Sequence, residues 1–432
     1  MPFDVARIRQ AHPALAEGYA HFDGAAGTLV AEPVARAVAG VLGGAVSNRT
    51  TAFAPGRRAL AIVDAARVAA GDLLGADPAG VVFGQSATAL VYTVARGLAG
   101  TWQPGDNVVV TRLDHDANVR PWVQLASAMG VEVRWAAFDP ATGALPFAAF
   151  EPLVDARTRV VAVTAASNAI GTVPDVPAIA ALAHGFGAVV HVDGVHATAH
   201  LPVDVAALGA DYYVTSAYKW SGPHLAACVA APSQWERTAV LKLLPSSDAV
   251  PERFELGTPS FELLAGFTAA VDFLATLDDT GTPDDAGTPD DAGVLNDAGT
   301  LNDAGTPDGA GVLDGATSRP RRERVLRSMA AVHSYETRLF ERLLDGLRSM
   351  PAVRVLPAPA GGCPTVSFRI AGEDPATTAA RLGDQGICVF SGDYYAAEYF
   401  TAMGLRETGG AVRAGIYHYT TADEVDRLLA AL

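Results

Sequence analysis

Between about residue 60 and residue 232 the sequence alternates between short apolar runs rich in β-branched residues and Ala-rich stretches long enough to be helices. The runs are VVFG (81–84), VVVTRL (108–113), 131–136, RVVAVTAA (159–166), AVVHVD (188–193), 212–215 and 226–231. Such runs are apolar at both odd and even positions, so each strand must be covered on both faces. Helical crossovers between parallel strands supply that cover. The pattern therefore predicts an α/β fold in three layers, with a mostly parallel seven-stranded sheet in the middle. In open sheets of this kind ligands collect beyond the carboxyl ends of the strands, which directs attention to the polar residues that follow each run.

The chain of 432 residues, half of them apolar, is too long for one ordinary core, and two packed domains are expected: a large one over 16–260, and a smaller C-terminal α/β domain built from 1–15 and 261–432. The smaller one is read from a strand-helix-strand alternation (VRVLP, TVSFRI, CVFSG, VRAGIY) after about residue 352. Within it, 278–318 holds a low-complexity hexapeptide repeat, GTPDDA-GTPDDA-GVLNDA-GTLNDA-GTPDGA-GVLDGA. Its composition opposes a packed core and implies a solvated insertion between two helices, one ending near Leu277 and one opening near Arg321. A short β-solenoid is the alternative. The formal net charge of −16, much of it from this insertion, argues against nucleic acid as a partner and favours a small metabolite. Cys228, Cys363 and Cys388 are three, widely spaced and without a CxxC pair, so neither a disulfide framework nor a metal site is expected. With no signal-peptide pattern and no long uncharged apolar run, a cytoplasmic protein away from the membrane is the expectation.

Lys219 lies just past a buried strand, in the segment DYYVTSAYKWSGP (211–223). Alone it would read as a solvated turn residue, but its companions stand at the ends of other runs. Asp193 ends the fifth run and offers a carboxylate that could pair with a pyridinium nitrogen. Its bland reading is a helix cap or turn residue. Ser86, Ala87 and Thr88 open a helix whose free N–H groups suit a phosphate. His115, after the second run, is an aromatic that could lie flat on a ring. Ser86 as a plain cap and His115 as a loop histidine are the competing readings.

Several segments together resemble the cysteine-desulfurase-like branch of the class V aminotransferases, pyridoxal-phosphate (PLP) enzymes of fold type I. They are His21-Phe-Asp-Gly-Ala-Ala26, Asp114-His-Asp-Ala-Asn-Val-Arg-Pro-Trp122, Ala166-Ser-Asn-Ala-Ile-Gly-Thr172, Val192-Asp-Gly-Val-His-Ala197, Ser216-Ala-Tyr-Lys-Trp-Ser-Gly-Pro223, Gly257-Thr258-Pro259 and the C-terminal VRAGIYHYTTADEVDRLLAAL. The resemblance implies a Schiff base on Lys219, His115 stacked on the cofactor ring and Asp193 at its nitrogen. It also implies cofactor contacts from Ser86, Ala87, Thr88, Asn168, His196, Ser216 and Tyr218. Gly257 and Thr258 would reach the phosphate from a neighbouring subunit, making a homodimer with a shared site. Arg413 would hold a substrate carboxylate, for which a planar guanidinium is well matched; pairing with Asp423 or Asp426 is its structural alternative.

The chain departs from this pattern where the desulfurases carry a nucleophilic cysteine on a mobile loop: counting along Gly386-Ile-Cys-Val-Phe-Ser-Gly-Asp-Tyr-Tyr395 puts Tyr395 there. Cys388, seven residues earlier, reads as a small buried strand residue. The family glutamine is His196, and the histidine before the lysine is Tyr218. A lyase acting on a sulfur-containing or otherwise β-substituted amino acid is favoured, with Asn168, Tyr395 and Arg413 facing the substrate. Tyr394, Tyr395 or His196 is a candidate second acid/base. Epimerase or aminotransferase chemistry is the alternative, followed by a non-catalytic PLP-binding protein and by an unrelated α/β enzyme in which Lys219 is structural.

Overall fold

A computed structural model describes residues 3–278 and 319–432. The hexapeptide repeat, apart from its first flanking residue Asp278, lies outside the described residues.

The strands are β1 (Ala20–His21), β2 (Val81–Gly84), β3 (Asn107–Thr111), β4 (Glu132–Ala136), β5 (Thr158–Thr164), β6 (Val189–Asp193), β7 (Tyr212–Ser216), β8 (Ala226–Val229), β9 (Val353–Val355), β10 (Thr365–Ile370), β11 (Ile387–Cys388), β12 (Phe390–Gly392) and β13 (Ala411–Gly415). The seven apolar runs form one sheet in the order β2-β8-β7-β6-β5-β3-β4. Neighbours from β7 to β4 run parallel, and only β8 is antiparallel to β7 and β2. The fold is thus the α/β class that the alternation predicted. Strand ends shift by a few residues: the second run stops at Thr111 and the last at Val229, just before Pro232 opens a helix. Val109, Val161 and Val190 face one core layer, while Val108, Val160 and Ala162 face the other. Both faces are therefore dry, and each buried Val-sized side chain contributes about 1.5–3 kcal/mol.

The smaller sheet, β12-β13-β10-β9, is antiparallel throughout. The CVFSG run is not one strand. Cys388 ends β11, which pairs in parallel with β1, and Phe390 begins β12, which pairs with β13. Cys388 is half-buried rather than buried, because a two-residue strand at an edge leaves one side open.

The two cores do not follow one cut in the sequence. Ala20 and Phe22 pack with Leu343, Val366 and Phe368 under the small sheet, whereas the helix Phe261–Leu274 joins the large core through Phe267 and Val271. The helix Arg321–Ser349 buries Val325, Met329, Val332, Leu339, Leu343 and Leu347 at helical spacing. Glu336 falls in that same stripe, fully buried, with His200 Nδ1 2.8 Å from its carboxylate. Asp278 meets Arg327 at 2.7 Å, so the helix before the repeat and the helix after it close on each other.

Candidate active site

The carboxyl ends of β5, β6 and β7 and the segments after β2 and β3 converge on one cavity. It is lined by Ser86, Ala87, Thr88, His115, Asn168, Asp193, His196, Ser216, Tyr218 and Lys219, with Thr164, Ala166, Ala117 and Val195 between them. Ten residues singled out in the sequence therefore share one wall. Each arrives there because a strand ends and the chain turns.

Lys219 is buried, and its Nζ donates to the Ala25 carbonyl, 194 residues away in sequence. Burial, aided by the Arg413 charge and opposed by Asp23 and Asp193, lowers its amine from 10.5 to about 7. Asp193 is buried as well; lack of water raises its carboxyl to about 6, while the Val195 N–H, donating at 2.9 Å, and Lys219 pull it down. Behind it Asp114 accepts from Asn118 Nδ2 at 2.6 Å and from the Thr111 hydroxyl, which fixes the loop that carries His115. His115 is half-buried and keeps a bare Nδ1, which accepts from the Ala117 N–H at 3.1 Å. Burial and then Lys219 lower its ring to about 4, so it is neutral near pH 7.

Ser86 caps the helix Ala87–Ala99, accepting from the Ala89 N–H at 3.2 Å. The cap leaves other first-turn N–H groups at the cavity, where a helix N-terminus favours an anion. The cap reading and the phosphate reading are therefore compatible. Tyr218 stacks on His224 at 4.9 Å with its ring 5.5 Å from Lys219 Nζ. His196 is held through Nε2 by Thr365 Oγ1 at 3.0 Å, from the small sheet.

The small sheet and its loops lie beside this cavity. Arg413, buried in β13, donates to the Asn168 carbonyl at 3.0 Å and lies 4.5 Å above the Tyr394 ring. Its nearest carboxylate is Asp23 at 3.8 Å. Pairing with Asp423 or Asp426 does not occur: Asp426 is engaged by Arg342 at 2.5 Å, and Arg413 points inward from the strand. Arg413 and Tyr395 do not line the cavity itself. Tyr395 is 72% exposed and its ring lies 5.5 Å from that of His115, so it sits at the mouth. Tyr394 and Tyr395 both have positive φ, at 50° and 58°. Non-glycine residues adopt such values only where surroundings enforce them. Here Asn168 Nδ2 donates to the Tyr394 carbonyl at 2.9 Å, and the Asp116 N–H donates to the Tyr395 carbonyl at 2.7 Å. Glu398 adds ion pairs to Arg120 at 2.7 Å and Arg112 at 3.1 Å.

The Asn168 loop itself depends on Gly171, at φ 71°: a Cβ there would fall 2.1 Å from the Cys363 carbonyl oxygen, so this loop and the segment leading into β10 meet backbone to backbone. Gly257 and Thr258 are exposed and lie outside this cavity. Asp23, in the segment after β1, feels both Lys219 and Arg413: burial raises its carboxyl and those two cations lower it, a role that only the tertiary structure reveals.

Among the described residues, Asn168 Oδ1 and His196 Nδ1 have no hydrogen-bond partner although both are buried, an arrangement that costs about 1–3 kcal/mol per group unless something fills it. With a helix N-terminus at one end, a buried carboxylate at the other and a partly neutral amine between them, the donor set fits PLP.

No helix among the described residues is long and apolar enough to cross a membrane. The fold matches a cysteine desulfurase of Thermococcus onnurineus NA1 with a TM-score of 0.81 at 23% identity, over 100% of this chain and 97% of that one. It also matches the cysteine desulfurase CsdA of Escherichia coli with a TM-score of 0.80 at 24% identity, over 100% and 98%. An uncharacterized protein of Mycobacterium tuberculosis is 34% identical across 100% of this chain and 99% of its own length. A probable cysteine desulfurase of Pseudomonas aeruginosa is 30% identical over 96% and 94%. The sequence profile of class-V aminotransferases matches residues 20–281 and 291–428, and the chain belongs to that family, in its cysteine-desulfurase-like, PLP-using branch.

Proposed function

We propose that this protein anchors PLP as a Schiff base on Lys219 and acts on an amino acid as a carbon–sulfur or other β-elimination lyase. The observation that carries the reading is the buried amine of Lys219 at the strand ends, beside buried Asp193 and near enough to Arg413 to feel its charge. When bound, PLP supplies an electron sink that weakens the bonds to the substrate's Cα.

The chain's own residues do the rest. The first turn after Ser86, with Ala87 and Thr88, binds the phosphate, and Gly257 and Thr258 of a second copy complete that cradle in a cytoplasmic homodimer. His115 covers the ring, and as a neutral imidazole it adds no repulsion to Lys219. Asp193 holds a proton at the ring nitrogen. Asn168, His196, Ser216 and Tyr218 orient the ring edge. Arg413 would grip the substrate carboxylate and so set the angle of the Cα bonds, and the amine of Lys219, freed when the substrate amine takes its place and low enough in pKa to be neutral, would accept the Cα proton.

The lyase outcome rests on Tyr395. A desulfurase needs a thiolate that attacks the substrate sulfur, and the loop position that would hold it carries a tyrosine whose backbone is tied to Asp116. Cys228 and Cys363 are buried, with their thiols pushed above the usual range by burial. Incubation with a panel of amino acids tests the assignment: pyruvate, ammonia and, from sulfur substrates, a thiol or sulfide are expected. Alanine from free cysteine at a catalytic rate, its sulfur passing to a persulfide and appearing as sulfide only with an added thiol reductant, would overturn it. Loss of chirality alone would mark an epimerase, amino-group transfer to a 2-oxo acid an aminotransferase, and no turnover a binding protein.

A further inference from the structure

The turn that presents Lys219 is held from outside the cavity by a hydrogen-bond chain whose proton positions the geometry assigns. After the short turn Ala217–Lys219 the backbone reverses through Ser221, which is fully buried at φ 64°, a conformation that L side chains avoid. Every polar group of Ser221 is engaged. Its N–H donates to Thr28 Oγ1 at 2.7 Å, its carbonyl accepts from the Ala31 N–H at 3.3 Å, and its Oγ lies 3.0 Å from both His12 Nε2 and the Tyr417 hydroxyl. Thr28 then donates to the Tyr218 carbonyl through its N–H at 2.9 Å and through Oγ1 at 3.0 Å. The residues flanking Lys219 are thus tied to segments about 200 residues away in either direction.

The direction of the chain follows from its end. His12 Nδ1 lies 2.8 Å from the Ile8 carbonyl, which only accepts, so Nδ1 carries the ring proton and Nε2 is bare. The Ser221 hydroxyl therefore donates to Nε2, and its oxygen accepts from Tyr417. Burial lowers His12 to about 4, which keeps the ring neutral and this polarity intact near pH 7. Phe273 and Tyr419 pack edge-on against the imidazole at 5.5 and 5.0 Å and hold its plane.

We propose that His12, Ser221 and Tyr417 form a positioning device for Lys219, fixing the direction in which the turn delivers its ε-amine and so the rate at which that amine captures an aldehyde cofactor. None of the three lines the cavity. The inference rests on the reading of Lys219 as the cofactor anchor. In the step concerned, the neutral amine nitrogen bonds to the aldehyde carbon, and the aldehyde oxygen leaves as water with the two nitrogen-bound protons. Its rate depends on how well the nitrogen is aimed, and its half-saturating cofactor concentration depends on the cavity.

The test mixes cofactor-free full-length protein with PLP over a range of concentrations and follows growth of the visible absorbance. Tyr417→Phe and His12→Phe remove one link each while keeping the ring volume; His12→Gln restores an acceptor for Ser221. Both phenylalanine variants are expected to capture PLP about tenfold more slowly at saturation with half-saturation changed less than about twofold, and His12→Gln to recover most of the rate. If the phenylalanine variants lose thermal stability but capture at the wild-type rate, or if His12→Gln is as slow as His12→Phe, the positioning role is overturned and the reading of Lys219 stands. Should His12→Phe fail to fold, Tyr417→Phe, which deletes a single oxygen, decides alone. Wild-type protein that gains no visible absorbance would overturn the anchor itself and this inference with it.

Discussion

Lys219, Asp193 and His115 reach the cavity from the ends of parallel strands or the loops just beyond them, whereas Arg413, Tyr394 and Tyr395 stand outside its lining, in the interior and at the rim of a separate antiparallel sheet, and flank it as a second wall. The two walls are held differently. On the first, Asp193 and His115 are fixed within their own turns, Asp193 by the Val195 N–H and His115 by the Ala117 N–H and the Asp114–Asn118 pair, while Lys219 is placed by its strand end and then held by distant segments. On the second, each is fixed by the opposite domain: Arg413 by the Asn168 carbonyl, Tyr394 by the Asn168 amide, Tyr395 by Asp116. The first wall is therefore placed by where strands stop, with Lys219 alone among these three needing distant partners to hold it. The second exists only when the small sheet and its loops are packed against the Asn168 and Asp116 segments, and it carries the left-handed backbone at 394 and 395 that this packing must enforce.

The comparison is broken most severely at Lys219. Lys219→Ala is expected to abolish the visible absorbance of PLP-loaded protein while leaving the fold intact by circular dichroism. Retained absorbance would show another anchor. The next largest effect is in pH. With the Lys219 amine lowered to about 7, roughly half of it is neutral at pH 7, against about one part in a few thousand for an ordinary lysine. The rate of PLP capture should rise with pH through a midpoint near 7. In the cofactor-free protein this lysine binds fewer protons folded than unfolded between about 7 and 10.5, so its contribution to stability increases with pH over that window. A capture midpoint near 10 would show that the amine is solvated.

Arg413→Ala sharpens the contrast from the second wall: the absorbance is expected to remain, while kcat/KM for carboxylate-bearing substrates falls at least about a hundredfold, as when a buried charged partner is truncated. Equal losses with amine substrates lacking a carboxylate would remove the assigned role. The smallest change belongs to the rim. Arg120→Ala breaks the contacts to Asp116 and Glu398, which are partly exposed, and should cost only about 0.5–1 kcal/mol in urea denaturation, less at high salt. A loss several times larger would mean that the docking of the two walls hangs on this one guanidinium.

The first wall was legible because its residues obey a local rule. Runs apolar on both faces had to be strands of a covered sheet, and the polar residues after them had to lie at one edge; Ser86, His115, Asp193 and Lys219 follow. The antiparallel small sheet was less legible, since short strands separated by helices read alike whether they pair in parallel or not. The split of CVFSG between two sheets was hidden for the same reason, because Cys388 and Phe390 differ in partner and not in pattern. Glu336 also defeated pattern reading, since a carboxylate in an apolar helical stripe is intelligible only once His200 is beside it.

What the sequence determined by itself is the layered sheet, the placing of Lys219 at its ligand-binding edge and, through several ordered motifs, the family. The tertiary structure alone decided which distant groups surround that lysine. Asp23 and Arg413 act on the charge of its amine, Ala25 accepts from it, and His12, Thr28 and Tyr417 hold the turn that bears it. The reason is physical: periodicity encodes which face of an element is dry, but the pKa of an amine and the aim of a turn depend on burial and on partners that only the packed chain brings within hydrogen-bond reach.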